Sequence, residues 1–107
     1  MSKTEIIVVG AGIAGLTSAA ILSKYGFKVT IIESHSQSGG CAGTFKRKNY
    51  VFDVGATQVA GLEKGGIHSK IFEFLQIPLP KATILDPSCV VDLNDGTRPI
   101  NIWHDSK

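Results

Sequence analysis

Cysteine, aromatic residues and net charge are all scarce in this chain of 107 residues. Cys41 and Cys89 stand far apart and lack a C-x-x-C spacing, so no disulfide framework or thiolate metal site is written here, and nothing asks for an oxidising compartment. The net charge is only +2, and no basic stripe with interleaved aromatics appears, so there is no electrostatic footprint for nucleic acid. Lys46-Arg47-Lys48 is the one basic cluster and reads as a solvated hairpin turn. GxSxG, HExxH, paired carboxylates and a Walker lysine are all missing. No catalytic residue is therefore assigned, and His35, His68 and His104 lack the neighbours that would make any of them one.

Long apolar runs are missing too. Ile6 to Leu22 comes nearest, but Glu5 precedes it, Gly10, Gly12 and Gly15 punctuate it and Gly26 follows, whereas a span wants ~18 or more continuous apolar residues. A signal peptide or membrane anchor is thereby disfavoured, and the expected location is the cytoplasm or a membrane periphery. With 43% hydrophobic and 19% charged residues the composition is that of an ordinary globular protein, and the length allows one domain at most.

The informative stretch is Glu5 to Glu33. Ile6 to Val9 is an unbroken apolar run with β-branched residues, suited to a strand buried on both faces of a parallel sheet. It leads into Gly10-Ala11-Gly12-Ile13-Ala14-Gly15, the G-x-G-x-x-G pattern. Gly10 suits the tight turn, Gly12 lets backbone approach a pyrophosphate, and Gly15 lets the helix lie close to the strand. Leu16, Ala19, Ala20, Ile21 and Leu22 then give a helix face for packing on the sheet, and Gly26 ends the helix. Phe27 to Ile32 is the second strand, and Glu33 at its carboxyl end stands where a carboxylate accepts hydrogen bonds from an adenosine ribose. A phosphate on that ribose would be repelled, so FAD or NAD is favoured over NADP. Strand, glycines, helix and acid in this order predict an adenine-dinucleotide site in a doubly wound α/β fold.

In such a sheet, ordered 3-2-1-4-5-6, the first strand has neighbours on both sides, and this chain visibly supplies one of them. The expectation is an N-terminal part of a longer polypeptide, whose open edge would favour self-association. Beyond Glu33, Ser34 to Ser38 is turn-like, and Gly39-Gly40-Cys41-Ala42-Gly43-Thr44 reads either as backbone close to a ligand or to the helix of the first unit, or as a glycine-rich surface loop. Thr44 to Arg47 and Tyr50 to Asp53 predict a hairpin with a positive φ at Asn49. In Phe52-Asp53-Val54-Gly55-Ala56-Thr57, Asp53 either caps the next turn or faces a ligand. Gln58 to Gly66 reads as a loop. Ile67, Ile71, Phe74 and Leu75, widened by Phe72, predict a helix stopped by Pro78, with His68 off the apolar stripe and exposed. Val90 to Leu93 and Ile100 to Trp103 predict a second hairpin around Asn94-Asp95-Gly96.

Taken together, Gly10 to Gly15 with Glu33, Gly39 to Phe45 and Phe52 to Gln58 resemble the N-terminus of the FAD-dependent phytoene desaturase family, whose fold is shared with amine oxidases. The run Gly55 to His68 is most similar to the cyanobacterial-type carotenoid C-3′,4′ desaturase subgroup, ahead of the carotene cis-trans isomerases. The resemblance covers the chain from about Glu5, over the first part of the family's length. It implies FAD as cofactor, with Gly10, Gly12, Ile13, Ala14 and Gly15 at the pyrophosphate and Glu33 and Ser34 at the adenosine ribose. Gly39, Gly40 and Cys41 would run along the diphosphate and ribityl region, with Asp53 and Gly55 turning toward the flavin. Many relatives have arginine where this chain has Cys41, so a charged cofactor contact is missing. The implied substrate is a carotenoid, a long apolar polyene, losing hydrogen to the flavin, with peripheral membrane contact through the rest of the protein. The sister isomerases work with reduced FAD and no net redox change. Rab GDP-dissociation inhibitors share the fold and bind lipidated partners without catalysis, so the fold alone does not make an enzyme.

Overall fold

Strand β1 (Glu5–Val9) forms where the β-branched run predicts it, and it pairs in parallel with β2 (Lys28–Ile32) in the register Ile6 to Val29 and Val8 to Ile31. Between them runs helix α1 (Ile13–Lys24). The structure, a computed structural model, describes residues 4–56 and 58–103; Thr57 and His104, both named above, lie outside them. The helix ends in a Schellman closure: the Gly26 N–H donates to Ser23 O (2.9 Å) and the Phe27 N–H to Leu22 O (3.2 Å), with Gly26 left-handed at φ +89°.

Helix α1 covers one face of the β1–β2 pair. Ala19 is buried there, and Gly15, Thr17, Ala20, Ile21 and Leu22 are half-buried, as are Ile6, Val8 and Val29 beneath them. Leu16, expected on the packing face, is 39% exposed. The opposite face is bare: Ile7 is 60% and Val9 83% exposed, with Ile32 beside them. The expectation that β1 is buried on both faces is thus corrected, because among the described residues no element lies on that side and β1 has β2 as its sole neighbour. A salt bridge from Lys28 to Glu5 (3.0 Å) closes the start of the pair, too solvated to add much stability.

After β2, bends over 34–38 lead to a 3-10 turn, Gly40–Ala42, that no pattern announced. Strands β3 (Thr44–Arg47) and β4 (Tyr50–Asp53) form the expected hairpin, with Phe45 stacked on Phe52 (centroids 5.2 Å apart). The positive φ sits at Lys48 (+54°), one residue before the Asn49 that the sequence suggested.

Helix α2 (Ile67–Leu75) touches the end of α1, with Tyr25 against Phe74 (6.1 Å) and the Lys24 ammonium over the same ring (5.4 Å). Pro78 does not stop it. Gln76 does, at φ +60°, with its N–H bonded to Glu73 O (3.0 Å) and the Ile77 N–H bonded to Phe72 O (3.1 Å). This is the Schellman closure again, here with glutamine in the left-handed position. His68 is half-buried and not exposed: its N–H donates to Gly61 O (2.9 Å), which draws the ring against the Gly61 loop. The last hairpin is shorter than expected, β5 (Cys89–Val91) with β6 (Ile100–Ile102), because Asp92 and Asp95 take up backbone N–H groups of the turn at Asn94 and Thr97.

Among the described residues the strands form three two-stranded sheets, and these bury little. The accessible surface is 9234 Å², against about 5,800 Å² for a compact protein of this mass, and the radius of gyration is 18.5 Å, against about 13 Å. Large apolar side chains on β1, β2 and both hairpins accordingly face outward.

Candidate functional site

The site grows from the turn between β1 and α1. The chain leaves Val9 through Gly10, whose φ of +98° suits glycine and whose N–H donates to Ile32 O (2.7 Å), tying the turn to the end of β2. Gly12 is extended and starts α1 with no side-chain cap. The positive end of the helix, with the Ala14 N–H behind the Ile13 N–H that faces Gly39 O across the bridge, therefore carries no side-chain cap, the arrangement that receives an anion. A Cβ placed on Gly12 would meet nothing within 4 Å, so free space lies beside the helix start on that side. A Cβ on Gly15 would lie 1.9 Å from Gly10 O, which is how closely helix and turn approach.

Glu33 reaches back onto this turn. Its Oε2 accepts the Ala11 N–H at 2.6 Å, and its Oε1 accepts the His35 N–H at 2.8 Å and the Ser34 hydroxyl at 3.4 Å. The Ala11 and His35 N–H groups, in that order, hold the carboxyl below its ordinary value, against a smaller opposing effect of burial. On the other side of the turn, Gly39 bridges in parallel to Gly12 and donates its N–H to Ala11 O at 2.7 Å. Three segments distant in sequence thus meet at Ala11, which is 4% exposed.

The hairpin closes on the same corner. The Val54 N–H donates to Gly43 O and the Ala56 N–H to Cys41 O (both 2.9 Å), and a Cβ on Gly55 would be 3.2 Å from Cys41 O. An open cavity of about 400 Å³ lies against this corner, with Glu33, Ser34, Gly40 and Cys41 in its wall. Gly10, Gly12, Ile13, Ala14, Gly15, Glu33, Ser34, Gly39, Gly40, Cys41 and Gly55 are therefore gathered in one region. Asp53 is set apart: it ends β4 exposed, opposite Thr44, and does not line the cavity. Among the described residues it makes no side-chain hydrogen bond, so the capping role considered for it is not seen.

Residues outside the motif also belong here. His35, Gln37, Thr44 and Val54 line the cavity, and Ala11 joins the segments. For Ala11 a signal existed, since it is the residue between the first two glycines; for the others no spacing rule points to them. Among the described residues no group of histidine, cysteine, aspartate and glutamate could hold a metal ion, and no helix is long and apolar enough to cross a membrane. An uncapped helix start beside free space, with a carboxylate at the end of the neighbouring strand, suits a diphosphate joined to a ribose diol.

Residues 8–76 match the family described as NAD(P)-binding Rossmann-like domain. Human all-trans-retinol 13,14-reductase is 40% identical over 65 residues, 61% of this chain and 11% of that protein. Prolycopene isomerase 1 of an Oncidium hybrid cultivar, a chloroplast protein, is 34% identical over 87 residues, 80% of this chain and 15% of that protein. The crystal structure of an oxidoreductase from Methanosarcina mazei superposes with a TM-score of 0.70 at 25% identity, over 92% of this chain and 25% of that one. The chain thus spans between about a tenth and a quarter of the length of these relatives.

Proposed function

From the premise that this chain belongs to the NAD(P)-binding Rossmann-like domain family, we propose that it is the part of a larger flavin-dependent oxidoreductase that holds the adenosine diphosphate half of FAD. The observation that carries the proposal is the open, uncapped start of α1 at Gly12, with Glu33 poised beside it. Ile13 and Ala14 would donate backbone N–H groups to the pyrophosphate, Gly12 would admit it, and Glu33 would accept from the ribose hydroxyls. Bound FAD supplies a hydride acceptor, so the chain itself needs no catalytic set. The bare face of β1 and the small share of its relatives that the chain spans support its place in a larger protein.

For the whole protein the proposed substrate is a long apolar polyene, and the proposed reaction is removal of hydrogen from a saturated carbon pair, as in carotenoid C-3′,4′ desaturation. The retinol reductase and the prolycopene isomerase support a polyene by name. A second reading, cis-trans isomerisation with reduced FAD, is favoured by the match to prolycopene isomerase over 80% of this chain. Titration of the chain with ADP and FAD tests the cofactor assignment: weak binding is expected of this piece alone, whose sheet lacks its further neighbours, and it is lost in Gly12→Val, whose side chain would stand in the pyrophosphate's place. Undiminished nucleotide affinity in that variant would refute the assignment. Product analysis of the whole protein with candidate polyenes separates desaturation from isomerisation, and a whole protein that never retains flavin would favour a lipid-binding role without catalysis.

A further inference from the structure

We propose that Glu33 is a positioning residue as well as a ribose ligand: one carboxylate oxygen holds the Ala11 peptide, and with it the phosphate turn, in its binding shape before any nucleotide arrives. The inference rests on the adenine-dinucleotide reading of the same site and adds a role that the ligand does not need in order to be seen.

The geometry divides the carboxylate in two. Oε2 is committed to the Ala11 N–H at 2.6 Å, the shorter of its two backbone contacts, across 22 residues of sequence. Ala11 is one of two buried apolar residues among the described residues, so water does not reach it freely to replace that acceptor. The Ala11 carbonyl is held from the other side by the Gly39 N–H at 2.7 Å. The middle residue of the turn is therefore gripped at both its donor and its acceptor, while Gly10 and Gly12 on either side supply conformational freedom and open space. Oε1 faces the exposed bends at Ser34 and His35, beside the cavity, where a diol could displace these weaker or solvent-exposed donors. A ribose acceptor alone would need no contact to Ala11. Removing the carboxylate would leave the buried N–H without a partner and free the turn whether or not a ribose is present.

The experiment compares the chain with Glu33→Ala and Glu33→Gln by two readouts. Amide hydrogen exchange by NMR, without nucleotide, is expected to show the Ala11 and Gly39 amides exchanging at least about tenfold faster in Glu33→Ala. Glu33→Gln, which keeps one carbonyl acceptor, is expected to restore much of the Ala11 protection, so the proposal stays testable should the alanine variant unfold. Unchanged exchange at Ala11 in a folded Glu33→Ala, or no more protection in Glu33→Gln than in Glu33→Ala, would overturn the positioning role. The second readout is affinity for ADP and for 2′,3′-dideoxy-ADP, which lacks the ribose hydroxyls. A positioning role keeps a loss of about tenfold in Glu33→Ala for the dideoxy ligand as well; a loss confined to ADP would overturn it. If the unsubstituted chain bound neither nucleotide, the cofactor reading would fail on its own, and the exchange rates would still decide whether Glu33 holds the turn.

Discussion

Gly15→Ala is the substitution whose outcome the structure sets most sharply. In an ordinary exposed helix this change stabilises, by about 1 kcal/mol, because alanine loses less backbone entropy on folding. Here the new methyl would sit 1.9 Å from Gly10 O and 3.0 Å from Gly10 C, with Val8 Cγ1 at 3.5 Å. Ordinary contact distances are about 3.5 Å, so one partner has to move by roughly 1.5 Å. Neither has a free path: Gly10 O belongs to a turn fastened by the Gly10 N–H to Ile32 O, and Gly15 belongs to α1, which would lift off Ile6, Val8 and Val29. Such overpacking costs typically about 1–3 kcal/mol, and a clash with backbone lies at the upper end. Setting about 3 kcal/mol against the helix gain of about 1 kcal/mol leaves roughly 2 kcal/mol of net destabilisation, a large fraction of a small domain's stability. Urea unfolding followed by far-UV circular dichroism is the assay, with Gly12→Ala as control: its methyl meets nothing within 4 Å, so its midpoint should stay close to that of the unsubstituted chain. A Gly15→Ala midpoint equal to or above that of the unsubstituted chain would refute the close approach of helix and turn.

Gln76→Gly should stabilise α2 by about 1 kcal/mol, because glycine occupies the left-handed position at φ +60° without a Cβ penalty; a lower melting temperature would contradict this. Glu33 titrates lower in the folded chain than its ordinary value, so its contribution to stability is fully present above that value and is lost as pH falls through the lowered one. Urea midpoints measured from neutral pH into the acid range should therefore fall less steeply in Glu33→Gln, and parallel profiles would show that the carboxylate is uncoupled from folding. Asp95, lowered by the Thr97 hydroxyl and N–H, adds a second acid-sensitive contribution of the same sign. The bare face and edge of β1 should make the chain self-associate, and Val9→Lys, a charge at an 83% exposed position, should shift sedimentation toward the monomer without lowering stability; equal distributions for the two chains would place the association elsewhere.

The chain beyond β2 shows where sequence patterns lose their reach. The α2 pattern was legible because apolar spacing is local, yet its end was missed: Pro78 is a strong stop signal, and nothing in the composition says that Gln76 will turn left-handed two residues earlier. His68 was misplaced for the same reason, since its partial burial depends on the Gly61 loop folding back over the helix start. The shift of positive φ from Asn49 to Lys48 shows the register of β3 with β4 overriding a residue's own preference.

By itself the sequence determined β1, the glycine turn, α1, β2 and the place of Glu33, because each follows from rules acting over a few residues: the period of apolar side chains, the glycine pattern and the acid at the next strand's end. Tertiary structure alone decided what those elements do to one another. It brought Gly39 and Glu33 to opposite sides of Ala11, set Gly55 against Cys41 while leaving Asp53 outside, and left one face of the sheet bare. These are contacts between segments ten or more residues apart, or the lack of a covering layer. Local preference carries no information about which distant backbone group will arrive, so they appear only once the chain is folded.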